Sequence, residues 1–164
     1  MAAHEQRDRP PVDDFMLLVE KGGLNPMMVL RWQITVEKHR RDSHTVWGPW
    51  HAYAGLNTER FADEAPAVTA RLADALKSPG GGERGVNRLL ARALVERNPA
   101  SMPDVAECYA ARLNAVDAKW QSLVTLAQER GAAAPTRLED ADEEELRQVY
   151  YGEDAPPNIP RMTG

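Results

Sequence analysis

A chain of 164 residues, 43% hydrophobic and 27% charged, is long enough to bury a core without disulfides or a structural metal. Its net charge of −5 argues against a nucleic-acid binder, and no apolar run approaches the roughly 20 residues that a membrane-spanning helix needs. The single cysteine, Cys108, permits no intramolecular disulfide and leaves the redox compartment open.

Residues 1–11 are polar, end in Pro10-Pro11 and read as a disordered lead-in. They lack the apolar core of a secretory signal, which taken alone points to the cytoplasm or to a segment of a longer protein. From Val12, the residues Phe15, Leu18 and Val19 give a short helical face closed by Gly22-Gly23. Asn25-Pro26 then supplies a cap and a first-turn proline for a helix to about Arg41, with Val29, Leu30, Trp32, Ile34 and Val36 as its apolar side. Behind a charged turn, WGPWHAYAGL places Trp47, Trp50, His51 and Tyr53 within seven residues, a density that predicts a packed aromatic corner. The next helix, capped by Asn57 or Thr58, carries Phe61, Ala65, Val68, Leu72 and Leu76, and Pro66 predicts a kink or a restart within it.

Residues 78–85 form a glycine-rich flexible linker by composition. Val86, Leu89, Leu90, Ala93 and Leu94 resume a helical face that Asn98-Pro99 stops. The longest predicted element follows, from Ser101 to Arg130. Ser101 is its cap, Asp104 reaches back to the backbone N–H of Ser101, and Pro103 sits in the first turn. Val105, Tyr109, Leu113, Val116, Trp120, Leu123 and Ala127 recur every three or four residues along one stripe, and Gly131 offers a left-handed end. An acidic stretch opens a last helix over about 142–151, followed by a proline-containing tail at 152–164 that reads as extended. The fold class is therefore all-α: an irregular bundle of about five to seven helices around one long helix in the C-terminal half, forming a single domain over 12–151.

Candidate chemistry is sparse. His39 and His44 are five apart, which does not place two ligands on one helix face, and no acidic or cysteine pattern completes a zinc set; they read as solvated turn histidines. His51 among aromatics reads as a packed histidine bonded to a backbone carbonyl. Cys108 beside Tyr109 reads as buried and inert. Arg84, Arg88 and Arg92, at intervals of four, read as a solvated face, and the carboxylates from Glu139 to Glu145 lack calcium-loop spacing.

The C-terminal string EELRQVYYGEDAPPNIP, the aromatic turn WGPWHAYAGL and the Leu24-Asn25-Pro26 helix start with Trp32 behind it resemble a segment of large planctomycete multidomain proteins, which join cytochrome-c-like modules to conserved planctomycete domains of uncharacterised function. The resemblance covers about 12–160. It implies a helical intervening segment with no assigned catalytic residues, an extracytoplasmic setting, and haem chemistry in neighbouring modules. The chain itself contains no Cys-x-x-Cys-His, so Cys108 alone cannot attach a c-type haem, and no cofactor is expected.

Residues and resemblance together predict a non-catalytic structural and interaction module, a spacer that docks flanking or separately encoded domains through its acidic last helix and tail. The candidate surface is Trp47, Trp50, His51, Tyr53, Tyr150 and Tyr151. An alternative is an accessory enzyme that binds carbohydrate or another small ligand at the corner, with Trp47, Trp50 and Tyr53 as walls and His51 as acid/base. A third is non-covalent haem binding through His51 and a methionine.

Overall fold

The computed structural model describes residues 44–77 and 85–151. The predicted helices before residue 42, the lead-in, the linker apart from Gly85, and the tail lie outside the described residues. Within them the fold is all-α, five helices packed together: α1 Trp47–Ala54, α2 Phe61–Lys77, α3 Arg88–Arg97, α4 Met102–Glu129 and α5 Ala141–Tyr151. A single 3-10 turn, Thr58–Arg60, leads into α2. Helix α4 is the long central element, with α1, α3 and α5 all packed on it, while α2 lies against α1 and α3.

Local chemistry sets most helix ends. The Asn57 side chain accepts from the N–H of Glu59 and so caps the turn before α2. Helix α3 starts where the Asn87 side chain accepts from the N–H of Leu90, and ends on Asn98 at φ 48°, a left-handed residue followed by Pro99. Gly131 closes α4 at φ 63°: its N–H reaches the carbonyl of Gln128, and the N–H of Ala132 reaches that of Ala127. This paired closure satisfies two carbonyls that the helix itself leaves open.

Two local expectations are refined. Of the kink or restart expected at Pro66, the restart does not occur: α2 runs through the proline as one helix. Proline cannot donate to the carbonyl of Ala62, and both residues lie on the exposed side, where such a carbonyl is open to solvent. At the start of α4 the Ser101 side chain makes no cap bond, and Asp104 reaches one residue further back, accepting from the N–H of Ala100 at 3.0 Å. Its other oxygen takes the Arg97 guanidinium at 3.0 Å. Burial pushes the Asp104 carboxyl up, but Ala100, Arg97 and Ser101 outweigh it and hold the group below its ordinary value.

The predicted stripe of α4 is buried from Val105 through Tyr109, Leu113 and Val116 to Trp120. Ala106 and Ala110 are buried as well, because α1 and α3 flank the first half of the helix on separate sides. Past Trp120 the cover thins among the described residues: Leu123 is 37% exposed and Leu126 40%, while Val124 still packs against the core. Two residues on one stripe should therefore differ sharply. In urea denaturation, Trp120→Ala should cost about 3–5 kcal/mol, whereas Leu123→Ala should cost less than about 1 kcal/mol. Equal costs would mean that the packed core extends beyond Trp120.

Candidate functional site

The aromatic corner is built by α1 against the buried half of α4. Trp47 stacks on Tyr109 with ring centroids 5.3 Å apart and planes 11° from parallel, and Trp50 meets the same tyrosine edge-on at 5.2 Å. The Tyr109 hydroxyl donates to the carbonyl of Val46 at 2.5 Å and accepts from the N–H of Trp50 at 3.0 Å. Full burial pushes that hydroxyl well above its ordinary titration range. Tyr53 faces α2, where its ring stacks on Phe61 at 6.0 Å. Thr69 donates its hydroxyl proton to the carbonyl of Ala65, so the 2.8 Å contact between Tyr53 and Thr69 has the tyrosine as donor. Trp47, Trp50 and Tyr53 are at most 2% exposed. Their rings are spent on core packing, and no ring face among the three is open as a binding wall.

His51 is half-buried on α1, where its carbonyl accepts from the N–H of Gly55. His44 departs from the reading as a solvated turn residue. It is half-buried, and its Nδ1 accepts from the N–H groups of Val46 and Trp47 at 3.2 and 3.3 Å. Its carbonyl accepts from Gly48, so the imidazole works as a cap for the first turn of α1. His39 lies outside the described residues.

The second candidate region lies where α5 crosses α4. Trp120 carries the Arg147 guanidinium 4.3 Å above its ring and the Tyr151 ring at 6.2 Å. Arg147 is 7% exposed and forms a two-pronged pair with Glu144, through Nε to Oε2 at 2.7 Å and Nη2 to Oε1 at 2.5 Å. Arg147 also donates to the carbonyl of Thr136, and Glu144 Oε2 accepts from the N–H of Leu138 at 2.8 Å. The hydrogen bonds from Arg147 hold the Glu144 carboxyl at about 2, with Leu138 and Gln148 adding to the effect. Glu144 thus fastens the connector between α4 and α5. Asp140 caps α5 by accepting from the N–H of Glu143, and Lys119 pairs with Glu143 at 2.5 Å. The Tyr151 hydroxyl donates to Asp117 and accepts from Gln121, with the ring still 46% exposed. The side chain of Tyr150 lies outside the described residues.

The candidate residues therefore separate into two places, one beside Tyr109 and one beside Trp120. Eleven residues of α4 at ~1.5 Å rise hold them about 16 Å apart. Cys108 lies between α4 and α3, its sulfur 3.8 Å from the carbonyl of Ala93, and burial pushes its thiol up, away from nucleophilic use. Of the three arginines read as a solvated face, Arg92 is exposed. Arg84 is outside the described residues, and Arg88 opens α3 with its guanidinium 2.8 Å from the carbonyl of Leu76 at the end of α2. Among the described residues no three of His, Cys, Asp or Glu gather as a metal site.

Asn87 is the polar residue that the sequence reading passed over. It is 1% exposed, and it joins three elements. Its N–H donates to the carbonyl of Thr45 before α1, its side-chain oxygen caps α3, and its side-chain nitrogen donates to the carbonyl of Asp142 and to Glu145 on α5. An asparagine directly before an apolar periodic run is a recognisable cap signal; its other two tasks leave no trace in local sequence.

No known protein family, curated protein or solved structure matches the chain in comparisons with each.

The Glu144 pair has a defined pH signature. Its folded value near 2 lies below the ordinary glutamate value of about 4.3. Its stabilisation is therefore complete above about pH 4.3 and is lost as pH falls through that value towards 2. Glu144→Gln should lower stability at pH 7 by about 1–3 kcal/mol and should flatten the acid limb of a urea-midpoint profile between about pH 5 and 2. Parallel acid limbs in the two proteins would assign that loss of stability to other carboxylates.

Proposed function

We propose that the chain is a non-catalytic helical interaction module, a spacer that docks neighbouring domains of a larger planctomycete cytochrome-associated surface protein. The observation that carries this reading is the end of α4. Beyond the buried Trp120, Leu123 and Leu126 are 37% and 40% exposed. A partly exposed apolar helix face is a surface that a partner can complete. Beside it, the N-terminal part of α5 and its lead-in carry Glu139, Asp140, Asp142 and Glu143, acidic groups that a basic partner surface would complement.

The buried state of Trp47, Trp50 and Tyr53 agrees with a structural corner. The resemblance of WGPWHAYAGL and EELRQVYYGEDAPPNIP to the planctomycete segment supplies the setting: extracytoplasmic, between domains, with haem held by neighbouring cytochrome-c-like modules. No described helix is long and apolar enough to cross a membrane.

The test uses separately produced cytochrome-c-like and flanking domains of such a parent protein, mixed with this chain and followed by light scattering and calorimetry. A defined complex is expected with at least one of them. The double substitution Leu123→Glu and Leu126→Glu should weaken it about tenfold or more while helix content stays constant. Association with none of the domains, or identical affinity in the double variant, would sink the proposal.

A further inference from the structure

Asn87 uses every polar group it has, and it spreads them over three elements. Its N–H donates to the carbonyl of Thr45 at 3.0 Å ahead of α1, and its side-chain oxygen accepts from the N–H of Leu90 at 3.1 Å in α3. Its side-chain nitrogen, which carries two protons, donates to α5 twice: to the carbonyl of Asp142 at 2.9 Å and to Oε1 of Glu145 at 3.0 Å. The carbonyl of Asn87 accepts from the N–H of Ala91 at 2.9 Å within α3.

These bonds are not independent of one another. The side-chain amide is planar, so turning its nitrogen towards α5 also fixes the direction in which its oxygen meets Leu90. Hydrogen bonds linked in this way polarise and strengthen one another where water is excluded, and Asn87 is 1% exposed. Release of α5 removes two partners at once and opens the side chain to water, which then competes for the bonds to Leu90 and Thr45. An amide left buried without partners costs more than its bonds contribute, so the elements around it loosen with it. At the next residue the Arg88 N–H donates to Oδ1 of Asp142 at 3.3 Å, and α5 thus meets this connection at two successive positions.

We infer that Asn87 is a coupling residue that transmits release of α5 to the lead-in of α1, so that a partner drawing α5 away from the bundle also frees the segment from which α1 starts. The element that moves is α5, an eleven-residue helix whose order depends on what it packs against. Linkage makes the coupling reciprocal: loosening at Thr45 weakens the seat of α5 by the same factor. The coupling goes beyond the docking reading and is independent of whether the Leu123 face meets a partner.

The experiment measures amide hydrogen exchange of the full chain by NMR, with and without Glu144→Gln, in the native background and in Asn87→Ser. Glu144→Gln loosens α5 at its bonds to Arg147 and Leu138. Asn87→Ser keeps a cap oxygen for α3 and the backbone N–H to Thr45 but loses the donors to α5. In the native background, Glu144→Gln should speed exchange about tenfold both in α5 and at the Asn87 N–H. In Asn87→Ser the same change should speed α5 alone. Acceleration at position 87 of equal size in both backgrounds, or in neither, would overturn the inference. Should Asn87→Ser not fold, the Glu144→Gln chain decides by itself. Exchange at Asn87 must then quicken while Thr69 and Leu72 in α2 stay protected, and equal quickening in α2 would mean global opening and overturn the coupling.

Discussion

The contact between Tyr109 and the first turn of α1 is the constraint on which the described fold depends. Helix α1 has eight residues, well short of the length at which an isolated helix is stable in water. Its order comes from outside. Tyr109 supplies a ring for Trp47 to stack on, an edge contact for Trp50, and a hydroxyl that satisfies one carbonyl and one N–H of the turn. An unpaired backbone group in that fully buried place would cost about 1–3 kcal/mol, so the hydroxyl is worth more here than a hydrogen bond at the surface. Four large apolar side chains of α1 and its lead-in, Val46, Trp47, Trp50 and Tyr53, enter the core because this one polar group lets the backbone follow them.

The remaining joints use the same physics with different residues. Asn87 and the Glu144–Arg147 pair each satisfy backbone groups in connectors that helices cannot satisfy for themselves. Asn87 does so before α3, and the pair does so at Thr136 and Leu138 between α4 and α5. Both are placed over apolar packing: Leu90 and Leu94 are fully buried next to the first, and Trp120 lies under the second. The bundle is therefore held by apolar contact along α4 and positioned by three polar joints, of which those at Tyr109 and Asn87 span elements far apart in sequence.

This division explains what could be read in the chain. Features with a local cause were legible: the Asn57 cap, the Asn98-Pro99 stop, the left-handed Gly131, and the stripe from Val105 to Trp120 all follow from residues within a few positions of one another. The burial of Cys108 followed from its place beside Tyr109. Features with a tertiary cause were not legible. Pro66 is tolerated because its side of α2 faces water, and Glu144 is structural because Arg147 and Leu138 converge on it. Asn87 matters because α1 and α5 both arrive there. The aromatic corner was legible as a corner, but its sequence density says nothing of which partner fills it; Tyr109 does, bonding residues 59 and 63 positions away.

The lengths of the helices carry the last step. At ~1.5 Å per residue, α4 spans about 42 Å, whereas α3 and α5 span about 15 and 17 Å. Neither helix can cover the whole length of α4, and among the described residues its cover thins from Leu123 to Glu129, where exposure rises while Val124 still packs against the core. A helix that only had to close this core could end soon after Trp120. The residues beyond it keep helical order to a proper Gly131 closure and keep Leu123 and Leu126 on the surface. The exposed part of each leucine adds nothing to the stability of the chain by itself, and covering it would contribute a fraction of the roughly 1.5–3 kcal/mol of full burial. Under the proposed docking role, this extension is the surface that a partner would meet.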